Sequence, residues 1–170
     1  MMKNVSLRDA NGDDLDAIRE LTLSAYREYA ATMPEHWEGY RQGILNTLSH
    51  PEPAEQIVAE EEGAIVGTVL LYPAGSVFSS PNRSPVTLAW PEMRLLAVGP
   101  AARGSGIGSL LVHECLRRAR NSGAEALTLH TSDIMQVAMR MYERIGFKRA
   151  PELDFHPAPE LTIKGFRFDF

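Results

Sequence analysis

Cysteine is nearly absent: Cys115 is the only one, so no intramolecular disulfide can form. It falls on the apolar face of a helical pattern, where a buried thiol suits packing better than nucleophilic attack. Long apolar runs are missing and Met1 to Ala10 is polar, so neither a membrane span nor a secretory leader is expected and a cytoplasmic protein is. Positive charge is not in surplus. The 17 Lys and Arg against 22 Asp and Glu give a formal net charge of −5, the wrong sign for gripping a nucleic-acid backbone and an acceptable one for a cationic amine partner. His36, His50 and His156 lie singly, with no His-x-His or His-Glu-x-x-His spacing, so no metal is expected. No repeat or linker breaks the chain, and 170 residues suit a single domain, 1–170, with one core.

Glycine is concentrated in one stretch. Glu92 to Ser122 reads EMRLLAVGPAARGSGIGSLLVHECLRRARNS. Met93 to Val98 is a strand-like run, Gly99-Pro100 a turn, and Arg103-Gly104-Ser105-Gly106-Ile107-Gly108 leads into Ser109 and a helix. Leu111, Val112, Cys115, Leu116 and Ala119 mark one helical face, and Gly123 stops it. Glycines at a helix N-terminus leave backbone N–H groups uncovered, and those groups with the helix dipole attract phosphate oxygens. A Cβ at Gly106 or Gly108 would push an anion away, and Arg103 adds a positive charge. The implied ligand is a pyrophosphate, and the plain alternative is a tight turn with no ligand. Gly108 is followed by Ser109-Leu110 where a Walker loop needs Gly-Lys-Ser/Thr, and the third glycine comes one place early for a dinucleotide fingerprint.

The rest reads as mixed α/β. Asn4 to Arg8 is a short strand and Asn11 a helix N-cap ahead of Asp13, Asp14 and Asp16. Ile18, Leu21, Thr22, Ala25 and Tyr29 share a helical face that ends before Pro34, and Glu35 to Leu48 is a second helix. Gln56 to Glu60 and Ile65 to Tyr72 are strands joined by Glu61-Glu62-Gly63. Pro73 to Pro91 reads as a long polar loop, a place for acceptor recognition or disorder. After the glycine helix come a strand at Ala126 to Thr131, a helix at Ile134 to Ile145, and strands at Phe147 to Arg149 and Leu161 to Phe170.

A second motif, Ala138-Met139-Arg140-Met141-Tyr142-Glu143-Arg144-Ile145-Gly146-Phe147, ends a helix at Gly146 and starts a strand at Phe147. Tyr142 is a phenol with a reference pKa of about 10, protonated at neutral pH and able to protonate a leaving thiolate. Its plain alternative is a core tyrosine.

Together, the Arg-x-x-Gly-x-Gly run after Leu-Ala-Val and the Ala-x-x-Met-Tyr-Glu-x-x-Gly-Phe run resemble the two signatures of the GNAT N-acetyltransferase superfamily. The resemblance is firm over about Glu92 to Lys148. It implies a central, mainly antiparallel sheet flanked by helices and splayed between its fourth and fifth strands, with acetyl-CoA as cosubstrate and no metal. It also implies direct acetyl transfer to a primary amine, of a small molecule or a protein, in a ternary complex. Arg103, Gly104, Ser105, Gly106, Ile107, Gly108 and Ser109 would hold the pyrophosphate. Leu96, Ala97 and Val98 would hold the pantetheine arm, with the Val98 N–H on the thioester carbonyl, and Tyr142 would protonate the thiolate.

Glu92 stands where one branch of the family has a general base, and the alternative is a strand-start carboxylate. His130 is a rival base, or a packed histidine. Met135 stands where many members carry Asn, which puts one pantetheine contact in doubt. Tyr26, Tyr29, His36 and Trp37 come from the region that often walls the acceptor. The competing reading is a non-catalytic acyl-CoA-binding sensor or accessory module. Phe166, Phe168 and Phe170 form an aromatic edge that is a candidate homodimer surface.

Overall fold

A computed structural model describes residues 4–80 and 83–170. The strands are β1 Val5–Asp9, β2 Glu55–Glu61, β3 Ala64–Tyr72, β4 Val77–Ser80, β5 Arg83–Thr87, β6 Glu92–Val98, β7 Ala126–Thr131, β8 Lys148–Arg149, β9 Phe155–Ala158 and β10 Leu161–Asp169. The helices are α1 Leu15–Tyr26, α2 Trp37–Ser49, α3 Ile107–Asn121 and α4 Gln136–Ile145. The chain forms two compact units, Met1–Leu71 with Leu95–His113, and Tyr72–Arg94 with Glu114–Phe170.

In the first unit the hydrogen-bonded order is β1-β2-β3-β6. β2 and β3 are the expected hairpin, turning on Glu62 and Gly63, which both have positive φ, 52° and 81°. Two left-handed residues in succession are what a tight turn between right-twisted strands requires. Asn11 caps as expected: its side chain accepts from Asp13 N–H while the Asp14 carboxylate accepts from Asn11 N–H. Arg8 clamps that cap to β2 through Asp14 at 2.7 Å and Glu60 at 2.8 Å. Ile18, Ile44, Leu48, Ile57, Val58 and Val69 are almost fully buried and make the core. α3 starts against β3 at Gly67, where a Cβ would stand 2.8 Å from Ile107 Cγ2 and 3.0 Å from Leu111 Cδ1. No other residue lets the helix come so close.

In the second unit the order is β6-β7-β10-β8, with β9 beside β10. β10 runs antiparallel to β7 from Lys164↔Thr131 to Asp169↔Ala126. β6 and β7 are parallel, and their ladder comprises Glu92↔Thr128 and Met93↔Leu129. Leu95, two residues further along β6, has φ +50°, a costly left-handed conformation for a branched side chain. Phe166 is fully buried, and Phe168 packs on Phe147 with ring centroids 5.5 Å apart. Those two rings are used inside the unit, which leaves Phe170 half-buried as the outer end of the expected aromatic edge.

Two expectations change. Pro73 to Pro91 is no structureless loop: β4 and β5 pair antiparallel as a separate two-stranded sheet, Val77 opposite Thr87 and Phe78 opposite Val86. Its residues are largely exposed, so no buried alternation marks them, but Phe78 packs edge-on to Tyr72 at 4.9 Å and fixes the hairpin. β9 was also not anticipated. Pro157 inside it argues against a strand, and β9 pairs with β10 alone, at an edge where proline is tolerated.

Candidate active site

The glycine loop follows from its local chemistry. A short 3-10 turn, Pro100–Ala102, closes with Ala102 N–H on Gly99 O at 2.9 Å. Gly104 and Gly106 then take φ of +79° and +85°, and nothing lies within 4 Å of where either Cβ would be. The glycines are therefore required by backbone conformation, and they face open space. Leu110 N–H donates to Gly106 O at 3.0 Å, so the N–H groups of Ile107, Gly108 and Ser109 precede the helical ladder. Ser105 Oγ donates to Ala102 O and tightens the loop. Ile107 is 1% exposed and anchors the helix start from below. The result is a rigid, electropositive helix terminus able to receive an anion.

Arg103 sits in this loop but is already engaged. Its guanidinium donates to Glu28 Oε2 at 2.6 Å and to Ala25 O at 3.0 Å, tying the loop to the end of α1. Of the strand residues expected at the thioester, Ala97 is buried, and Leu96 and Val98 are half-buried. The Leu96 carbonyl accepts from the Tyr26 hydroxyl at 2.9 Å. That uses one of its two lone pairs. Tyr26 also leads an aromatic cluster: its ring lies 5.8 Å from Tyr29 and 6.1 Å from Tyr40, and Tyr40 lies 6.3 Å from Trp37. Burial pushes the Tyr40 phenol up to about 12.

In the second unit, Glu92 is 1% exposed. Its Oε2 receives Arg94 Nε at 2.6 Å; its Oε1 lies 2.9 Å from His130 Nδ1 and 3.4 Å from Thr128 Oγ1. Burial pushes this carboxyl up, but the close His130 ring and the Arg94 guanidinium outweigh it and hold it below the ordinary carboxylate range. His130 has its other nitrogen, Nε2, 2.9 Å from the Leu153 carbonyl, which can only accept. Both ring nitrogens thus face acceptor oxygens. Nδ1 lies close to Glu92 Oε1 but off the line of a directed hydrogen bond. Two base candidates that the sequence set against each other are one paired unit.

Tyr142 is 7% exposed on α4, edge-on to Phe147 at 5.9 Å. Gly146, at φ +124°, ends the helix with its N–H on Tyr142 O and Glu143 O, and Phe147 N–H also reaches Tyr142 O. Phe168 fills the space beside Gly146. Met135 is the N-cap of α4 and has no side-chain capping bond.

Residues 15–147 match the acetyltransferase (GNAT) family. An uncharacterized N-acetyltransferase of Schizosaccharomyces pombe is 30% identical over 88% of this chain and 85% of its own. The mycothiol acetyltransferase of Nocardia farcinica is 32% identical over 84% of this chain but only 40% of its own length. Human N-acetyltransferase 8B is 36% identical over 58% of this chain and 40% of its own. The chain therefore spans most of the first relative and about two-fifths of the other two.

This chain belongs to the GNAT family.

Its fold agrees. A GNAT acetyltransferase of Brucella melitensis, solved with acetyl-CoA, superimposes with a TM-score of 0.63 over 99% of this chain and 89% of that one, at 24% identity. The PaiA N-acetyltransferase of Thermoplasma acidophilum, solved with coenzyme A, gives 0.73 over 98% and 99%, at 15% identity. The protein is accordingly an acetyl-CoA-dependent acetyltransferase. Among the described residues no group of His, Cys, Asp and Glu is arranged to hold a metal, and no helix is long and apolar enough to cross a membrane. Sequence reading missed three contacts here: Arg94 and Thr128 as partners of Glu92, and the Tyr26 hydroxyl on Leu96. Arg94 carried a detectable signal, a cation two places along the same strand face from Glu92.

Proposed function

We propose that this enzyme transfers an acetyl group from acetyl-CoA to a primary amine by direct attack in a ternary complex. The observation that carries the reading is the open glycine loop: two left-handed glycines with no atom near their Cβ positions, at the uncovered start of α3. Arg103 to Ser109 would take the pyrophosphate, the backbone N–H groups of Ile107, Gly108 and Ser109 supplying the donors. Arg103, exposed beside Glu28, would exchange that carboxylate for a phosphate oxygen. Leu96, Ala97 and Val98 would hydrogen-bond the pantetheine amides as a neighbouring strand does, and the Val98 N–H would stabilise the oxyanion.

In the chemical step the amine nitrogen bonds the thioester carbon and the carbon–sulfur bond breaks. The ammonium proton leaves through water towards Glu92. Since Glu92 is buried and held below the usual carboxylate range, it would pass the proton on rather than store it. The Tyr142 phenol would give its proton to the departing thiolate.

The test is amine-dependent release of the CoA thiol. Tyr142→Phe is expected to lower kcat by about 10-fold or more and to leave acetyl-CoA binding as it was. Equal, modest losses in both would mean a packing role. Binding of acetyl-CoA with no thiol release from any amine would instead mean a sensor or accessory module.

A further inference from the structure

The cations that neighbour His130 along its strands are committed to carboxylates. Lys164, opposite Thr131, pairs with Asp133; Arg149 pairs with Asp154; Arg167 pairs with Glu152 and Asp169; Arg94 pairs with Glu92. Arg83, at the start of β5, is different. It is exposed, and its side chain has no hydrogen bond or ion pair with a described residue. Its guanidinium carbon stands 4.2 Å over the centre of the Phe155 ring. That ring in turn meets the His130 ring edge-on, centroids 5.3 Å apart. One aromatic ring thus separates a guanidinium that has no hydrogen-bond or ionic partner among the described residues from the His130–Glu92 pair.

The hairpin carrying Arg83 is held at both ends by the same kind of contact. At its first strand Arg94, bound to Glu92, lies 3.6 Å over the Phe78 ring. At its second strand Arg83 lies over Phe155. Stacking engages a guanidinium through its face and leaves its N–H edge free, and that edge matches a carboxylate with two parallel hydrogen bonds. An arginine whose face is occupied and whose edge is unused is prearranged for an anion.

We propose that Arg83 binds a carboxylate of the acceptor, so that the substrate class is amines carrying a carboxylate a few bonds from the reacting nitrogen, as amino acids do. This rests on the reading that the amine surrenders its proton towards Glu92. The Phe155 ring then sets the spacing between the two ends of the substrate, and the hairpin is what presents the arginine.

The experiment is thiol release from acetyl-CoA with matched pairs of acceptors: free α-, β- and γ-amino acids and their carboxamides, with wild type, Arg83→Gln and Arg83→Lys. The thermal unfolding of each variant is recorded first. Wild type should favour the carboxylate member of at least one pair by about 10-fold or more in kcat/KM, carried by KM, as expected for one charge-assisted bidentate contact. Arg83→Gln should collapse that ratio, and Arg83→Lys should restore part of it. Equal use of acids and amides by wild type, or a ratio unchanged in Arg83→Gln, would overturn the assignment and leave acetyl transfer standing. A rise in the KM for acetyl-CoA in place of the acceptor would also overturn it, because the anion held would then be on CoA. Thiol release with none of these acceptors, but with a simple alkylamine, would overturn the assignment and leave the transfer reading standing.

Discussion

Replacing Glu92 by Gln leaves Arg94 and the His130 ring facing a neutral amide in a buried site. Removing one partner of such a cluster costs about 3 kcal/mol, since the remaining charge has lost its compensation. The charge itself also makes stability depend on pH. A carboxyl whose folded pKa is depressed stabilises the fold above its unfolded value, and that stabilisation disappears as pH falls through the folded value. Glu92 is held below the ordinary range by His130 and Arg94, against its own burial. Glu114, hydrogen-bonded to Arg117 and Arg118, and Asp154, hydrogen-bonded to Arg149, are each held at about 2. Urea unfolding followed from pH 7 to pH 2 should therefore be level at first. It should then weaken steadily from the unfolded carboxylate range, about 4, downwards. Glu92→Gln should make that decline shallower, and an unaltered slope would mean that Glu92 is not the charged partner of Arg94. Arg103 gives a second test. Its pair with Glu28 is exposed, so it contributes little to stability. Arg103→Ala should raise the KM for acetyl-CoA about 10-fold with unfolding unmoved, and Glu28→Gln should lower that KM or leave it. If Glu28→Gln weakens the donor as much as Arg103→Ala does, the arginine is a tie between loop and helix and not a phosphate ligand.

The glycine loop and α3 were legible because their constraints are local. Left-handed turns at Gly104 and Gly106 and an apolar stripe at helical spacing each leave a mark on the residues concerned. The end of α4 was legible for the same reason, with Gly146 in a conformation that closes the helix and Phe147 turning inward. The β4–β5 hairpin left no such mark. Its strands are short and mostly exposed, and what holds them comes from elsewhere in the chain: Tyr72 under Phe78, Arg94 over it, Phe155 under Arg83. The pairing of Glu92 with His130 was hidden likewise, because 37 positions separate them and only the parallel register of β6 on β7 brings Glu92 opposite Thr128. At the loop itself the clearest substitution is Gly106→Val. It forces a β-branched side chain to φ +85° and places carbon where a phosphate oxygen should lie. The KM for acetyl-CoA is expected to rise well beyond 10-fold, while the KM for the amine changes little. A larger effect on the amine would place the acceptor, not the donor, at this helix start.

For the protein as a whole, the donor half of the reaction was readable and the acceptor half was not. Phosphate is bound by backbone geometry, which glycines announce in the sequence. The acceptor would be bound by side chains brought together from separate segments, as Arg83 is brought to Phe155 and His130, and such contacts depend on the tertiary fold. Every other role depends on the donor site. Its most direct test is thermal unfolding of wild type and Gly106→Val with acetyl-CoA, CoA, ATP and NAD, each added separately. A ligand present at about 100 times its Kd stabilises the fold by about 2.7 kcal/mol, a rise of several degrees for a protein of this size. Wild type should rise with acetyl-CoA and CoA and stay put with ATP and NAD, and Gly106→Val should not respond. A rise with ATP, or no rise with either CoA species, would contradict the assignment of the loop, and the roles given to Tyr142 and Glu92 would fall with it.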